Sequence, residues 1–261
     1  MGAKLPCTGI LRNFGIKMPQ LLTKPTTILL TGATSGIGAH LRSRLLADGH
    51  RLIAVSRTAS AIAPQDRLLC FDADLADPQA VDVLAHELAA RHPDIRIIIN
   101  NAALQLPMRF DDPVLDRDML IGEVAVNLLA PALFTRVFMP LFKASTEPSA
   151  IVNISSGLAF FPKTTTALYC ATKAAVHSLS QSLRYQAEGS AMRVIEAILP
   201  LVDTPMTEGR GSGKLSAEVA AMAIIDGIRR GQDEIYIGKA KLLRILGLLA
   251  PIIPRTILKR S

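Results

Sequence analysis

The chain has 261 residues, 49% of them hydrophobic, and a formal net charge of +7, a length that suits one large α/β domain with a substantial core. Ten of the 29 basic residues lie in residues 1–27 and 239–261, where no acid occurs, so the body between them holds 19 bases against 22 acids, about −3. A nucleic-acid groove needs basic residues on the folded body and aromatic platforms for bases, and with an aromatic fraction of 4% no nucleic acid is expected as a partner.

Residues 1–25 contain Pro6, Gly9, Gly15, Pro19 and Pro25 without clear periodicity, and they read as an N-terminal arm lacking the pattern of a secretory signal. From Thr26 to Gly238, apolar runs alternate with longer helix-like segments: TTILLT, RLIAVS, RLLCF, IRIIIN, SAIVNIS, MRVIEAIL and EIYIG. Strands alternating with helices predict βαβ units, and near-continuous apolar runs such as IRIIIN suit strands covered on both faces. The expected fold is a single α/β Rossmann-type domain over residues 26–238, a doubly wound parallel sheet of about seven strands flanked by helices. Gly49 is the expected stop of the first helix. No uninterrupted apolar run reaches the ~18 residues of a membrane-spanning helix. Cys7, Cys70 and Cys170 are odd in number and far apart, which excludes a disulfide framework or cysteine metal site and predicts a reducing, cytoplasmic setting.

After the first strand comes TGATSGIG, which puts Gly32, Gly36 and Gly38, with Thr34, Ser35 and Ile37 between them, at a strand-to-helix junction. Glycines there allow a tight turn and let a pyrophosphate approach the helix N-terminus. The second strand ends in Ser56 and Arg57 with no acid. An acid at that place would hold a ribose 2′-hydroxyl and an arginine a 2′-phosphate, so NADP(H) is favoured over NAD(H). Tyr169 and Lys173 in YCATK are four residues apart and share a helical face. In isolation such a pair is common surface decoration. As a reaction centre, the lysine would be expected to lower the phenol's pKa from its ordinary value of ~10.

These pieces, with DADL, NNAA, Asn127 in VNLLAP, NISSG and PLVDT in order and spacing, resemble the short-chain dehydrogenase/reductase family over roughly residues 26–238. More loosely, PLVDTPMTEGRG and KLLRIL resemble a bacterial subgroup linked to a lipoteichoic-acid D-alanylation locus, a link that names no substrate. The resemblance implies hydride transfer between a nicotinamide and a small-molecule carbonyl or secondary alcohol. It places Ser156, 13 residues before the tyrosine, as the donor to the substrate oxygen, and Tyr169 as acid/base. It also implies that Lys173 binds the nicotinamide ribose and that Asn127 interrupts its helix to hold a relay water. Asp74 and Leu75 would lie against the adenine, and Asn101, Ala102, Ala103, Pro200, Val202 and Thr204 along the cofactor cleft. Relatives are commonly dimers or tetramers, which implies a homo-oligomer.

Two positions depart from the family pattern: Ala103 replaces the glycine of NNAG, and Leu201 the glycine after Pro200. Leucine adopts positive φ at a cost that glycine avoids. The stretch from Thr204 to Ser216 is short and glycine-rich, a mobile cover over an open site. The C-terminal extension 239–261 is basic and apolar; packing on the body is expected over peripheral contact with an anionic membrane. A catalytically weak NADP-binding regulator or scaffold is the alternative, and loss of Ser156, Tyr169 or Lys173 would have favoured it.

Overall fold

The computed structural model describes residues 20–249, with side chains as far as Arg244. Most of the expected arm, Cys7 and the last twelve residues of the extension therefore lie outside the described residues. Within the described part of the arm, Leu21 and Leu22 are buried in the core, so residues 20–25 are tied to the domain rather than extended from it.

A seven-stranded sheet runs in the order β3-β2-β1-β4-β5-β6-β9, every pair parallel. Its strands are β1 (Thr27–Thr31), β2 (Arg51–Ser56), β3 (Leu68–Asp72), β4 (Ile95–Asn100), β5 (Ser149–Ser156), β6 (Met192–Leu199) and β9 (Glu234–Tyr236). The pleat of the central strands sorts their side chains between two cores. Ile28 and Leu30 of β1, Leu52 and Ala54 of β2, and Ile97 and Ile99 of β4 face one layer, with α1 (Gly36–Ala47) and α6 (Ala217–Arg229). Leu29, Ile53, Val55 and Ile98 face the other, with α2 (Pro78–Arg91), α4 (Ala130–Ala144) and α5 (Ala167–Ala187). Two-sided burial is why these strands carry unbroken apolar runs. Helix α1 closes at Gly49, which has φ +89°, as expected.

A two-residue pair, β7 (Val202–Asp203) and β8 (Leu215–Ser216), was not foreseen; its register Val202↔Leu215 anchors both ends of the glycine-rich cover. The long helical stretch after β4 is α3 (Arg117–Val124), one π-helical stretch over Ala125–Leu129, and α4. The search for an uninterrupted apolar run passed over one segment here. The helical run Arg117–Ala144 has a window of mean hydropathy 1.6, enough to cross a membrane by length and composition. Its charged residues hid it from a search for unbroken apolar runs, and Phe134, Phe138 and Phe142 account for its apolarity by filling the core against the sheet. Beyond β9, α7 (Lys239–Leu249) begins the extension; Ala240 is buried and the Arg244 guanidinium lies 4.5 Å from the Tyr236 ring centroid. The described part of the extension thus packs on the body.

Strand order reverses at β1, between β2 on one side and β4 on the other. A crevice opens at the carboxyl ends of the strands at such a point, and a cavity of about 920 Å³ lies there.

Candidate active site

The cavity is bounded at one end by the turn between β1 and α1. Gly38 sits so close to the preceding strand that a Cβ would collide with the Gly32 carbonyl oxygen. Asn101 braces the same turn from just after β4, its Nδ2 donating to the carbonyls of Thr31 at 3.0 Å and Gly32 at 3.1 Å. At the N-terminus of α1 there is no acid in the first turn and no side-chain cap from Ser35. The backbone N–H groups and helix dipole are therefore free to hold an anion. Ser56, exposed Arg57, Asp74 and Leu75 line this end of the cavity.

The other end is built from β5, β6 and α5. Ser156 closes β5; its Oγ accepts from the Leu158 N–H at 3.1 Å, which leaves its own proton available. Tyr169 enters from the first turn of α5, half-buried in the cavity wall. Lys173 is 3% exposed, donates from Nζ to the Ile154 carbonyl at 2.9 Å, and lies 5.5 Å from the Tyr169 ring centroid.

Every residue expected at the site lines this one cavity except Asn127: Gly32, Thr34 to Gly38, Ser56, Arg57, Asp74, Leu75, Asn101 to Ala103, Ser156, Tyr169, Lys173, Pro200, Val202 and Thr204. Asn127 lies behind the wall in the π-helical stretch, where it is 1% exposed. Its Oδ1 accepts from the Leu104 N–H at 2.8 Å, and its Nδ2 donates to the Leu104 carbonyl at 2.8 Å and to Thr172 Oγ1 at 3.1 Å. Both amide protons are thereby used; only an acceptor position on Oδ1 is left for a water.

The expected electrostatic role of Lys173 is not what the structure shows. Burial raises the Tyr169 pKa, with Cys170 and Glu123 adding to the rise, and the one cation that pulls it down is Arg210 of the glycine-rich cover. Lys173 is itself desolvated, to a pKa of about 8, with Glu196 and Glu123 partly supporting its charge. Sharing a helix face set the direction of the two side chains but not the dielectric around them.

Several side chains at the site went unforeseen. Glu123, one turn before Asn127, is fully buried; burial pushes it up to about 7, offset only in part by the Leu106 backbone N–H and Lys173. Glu196, buried in β6, meets His177 Nδ1 at 2.7 Å, and Arg184 lies 3.6 Å away. His177, Glu196 and Glu234 have ligand atoms within 4.8 Å of one another, but the Arg184 guanidinium already occupies the carboxylates, 3.2 Å from Glu234. A lone acid inside each of IGEVAVN and MRVIEAIL was the available signal for Glu123 and Glu196. Leu243 of α7 also lines the cavity. Among the departures, Leu201 keeps negative φ, as does Ala103, so neither backbone needs glycine. Leu201 fills space beneath the cover, where a Cβ on Gly211 would fall 2.5 Å from its Cδ2.

The sequence profile of the family described as short chain dehydrogenase matches residues 26–214. The uncharacterized oxidoreductase DltE of Bacillus subtilis is 32% identical over 84% of this chain and 90% of its own length. The 1-deoxy-11-beta-hydroxypentalenate dehydrogenase of Streptomyces avermitilis is 33% identical over 82% of this chain and 84% of its own. A short chain dehydrogenase from Burkholderia cenocepacia, solved in complex with NADP, superposes with a TM-score of 0.81 at 25% identity, covering 90% of this chain and 98% of that one.

Proposed function

Because this chain belongs to the short-chain dehydrogenase family, an oxidoreductase family, we propose that it transfers hydride between NADP(H) and a carbonyl or secondary alcohol, with Tyr169 exchanging the proton. The observation that carries the proposal is convergence: Ser156, Tyr169 and Lys173 open into the same cavity as the glycine turn and the Ser56–Arg57 pair. The uncapped start of α1 fits a pyrophosphate, and Arg57, with no acid at the end of β2, fits a 2′-phosphate. That choice agrees with the NADP complex of the Burkholderia cenocepacia relative. When bound, the nicotinamide supplies the hydride.

The chain's own residues do the rest. The Ser156 hydroxyl, already accepting from Leu158, donates to the substrate oxygen and fixes its position. In the reducing direction the neutral Tyr169 phenol gives its proton to that oxygen; in the oxidising direction the phenolate takes it back. Lys173, pinned by the Ile154 carbonyl, holds a positive charge beside the ring and a donor for a ribose hydroxyl. Asn127 acts through Leu104, whose loop it fixes to the helix. A protein that only bound the nucleotide would have no use for the serine, tyrosine and lysine together, and their retention weighs against the scaffold alternative.

A panel of ketones, aldehydes and secondary alcohols, assayed with NADPH, NADH and their oxidised forms, tests this. Turnover is expected with NADPH and to fall at least about a hundredfold in Tyr169→Phe. Equal turnover in that variant defeats the mechanism, and a preference for NADH defeats the assignment of Arg57.

A further inference from the structure

The two ends of the cavity differ in charge. Asp74 is the single carboxylate among the lining residues, and it sits at the Arg57 end. Beyond Tyr169 the lining holds Lys163, from the loop after β5, and Arg210, from the cover, with no acid beside them. Both are half-buried, and among the described residues neither forms an ion pair. The Arg210 side chain donates from Nη1 to the neutral Gln105 Oε1 at 2.9 Å. Its neighbour on the cover behaves differently: Lys214 pairs with Asp203 at 3.3 Å.

A guanidinium has five N–H donors, and a cation drawn partly out of water is costly without a counter-charge. Here the counter-charge is missing from the protein side of a cavity that a substrate enters. Leu104, Leu158, Leu201, Met206 and Leu243 add apolar surface to the same cavity. Two cations, apolar surface and a proton donor in one cavity together describe a complementary molecule.

We propose that the substrate is an amphipathic oxo or hydroxy acid whose carboxylate is held by Arg210 and Lys163 while its apolar body lies along the leucines and its oxygen meets Tyr169 and Ser156. This rests on the oxidoreductase reading above. The planar Arg210 fork suits a carboxylate, which can accept two parallel N–H bonds. The Gln105 contact keeps that fork at the cavity wall rather than in solvent.

The test compares medium-chain methyl-ketone acids with their methyl esters, which keep the shape and lose the charge, in NADPH-dependent reduction. The wild type is expected to favour the acid in kcat/KM by about tenfold or more, mostly through KM, and the preference to shrink as ionic strength rises. Arg210→Gln is expected to bring the acid-to-ester ratio close to one, and Arg210→Lys to restore part of it; Lys163→Gln is expected to lower it less. Esters used as well as acids by the wild type overturn the inference and leave the oxidoreductase reading intact, whatever the variants do. A ratio unchanged in Arg210→Gln and Lys163→Gln also overturns it. Silence on acids and esters alike, together with silence on the neutral carbonyl panel, defeats the oxidoreductase reading and this inference with it.

Discussion

Asn127 and Leu104 are joined by two hydrogen bonds, one in each direction and each 2.8 Å long. A side-chain amide here completes the backbone of a loop residue as a neighbouring strand would. The loop so held carries Leu104 and Gln105, both in the cavity wall. Replacing Asn127 by leucine leaves the Leu104 N–H and C=O and Thr172 Oγ1 without this partner. A loss of about 2–4 kcal/mol is expected, read by urea denaturation, with faster amide exchange at Leu104. An unchanged midpoint would contradict the assignment.

Glu123 is expected to cost the fold stability at neutral pH. Its pKa rises on folding from 4.5 to about 7, so its contribution is intact below 4.5 and is lost as pH climbs through 7. Glu123→Gln should therefore be the more stable form above pH 7, by on the order of 2 kcal/mol, with the advantage vanishing in acid. The same substitution removes a charge that supports the Lys173 cation, so the lysine should titrate below its present value of about 8. Thermal melts from pH 4 to 8 and the alkaline limb of kcat/KM check the two halves separately.

Tyr169 should make the two reaction directions diverge with pH. Burial keeps the phenol protonated well above neutrality, which suits proton donation in reduction. Oxidation needs the phenolate and should quicken steadily as pH rises past 8. Arg210 is the cation that favours the phenolate, so Arg210→Gln should push the rise in oxidation to still higher pH. Parallel profiles for reduction and oxidation would refute this.

The His177–Glu196 contact gives a pH dependence of opposite origin. Its hydrogen bond to Glu196 raises the His177 pKa above 6.5. The stabilisation is complete below 6.5 and is lost as pH rises through the elevated value. His177→Gln should flatten the stability curve in that window, and an NMR titration of the imidazole locates it. A histidine titrating at or below 6.5 would refute the pairing.

Much of the architecture was legible because it is periodic. Residues such as Ile97, Ile98 and Ile99 are apolar in succession for the physical reason that β4 is covered on both faces, and the glycine turn stands where a strand meets a helix. The site residues were legible as a set, since the crevice collects the carboxyl ends of β1, β4, β5 and β6. What escaped depends on distance through space. Leu243 reaches the cavity from the far end of the chain, and Arg210 matters because the β7–β8 pair folds its loop back over Leu201. The direction of the Tyr169 shift also escaped, since four-residue spacing says nothing about how much water surrounds a phenol. Leu21 and Leu22 looked like part of an arm because two leucines carry no period of their own.

Helix α5 carries Tyr169, Lys173 and His177 at successive four-residue steps, and Glu196 acts on both Lys173 and His177. Glu123 acts on Tyr169 and Lys173 from the opposite side. Glu123 and Glu196 thus link Tyr169, Lys173 and His177 electrostatically. An apparent pKa measured for Tyr169 or Lys173 therefore carries the charge of a neighbouring glutamate, and a substitution at half-exposed His177 reaches the carboxylate beside Lys173 without touching the cavity walls.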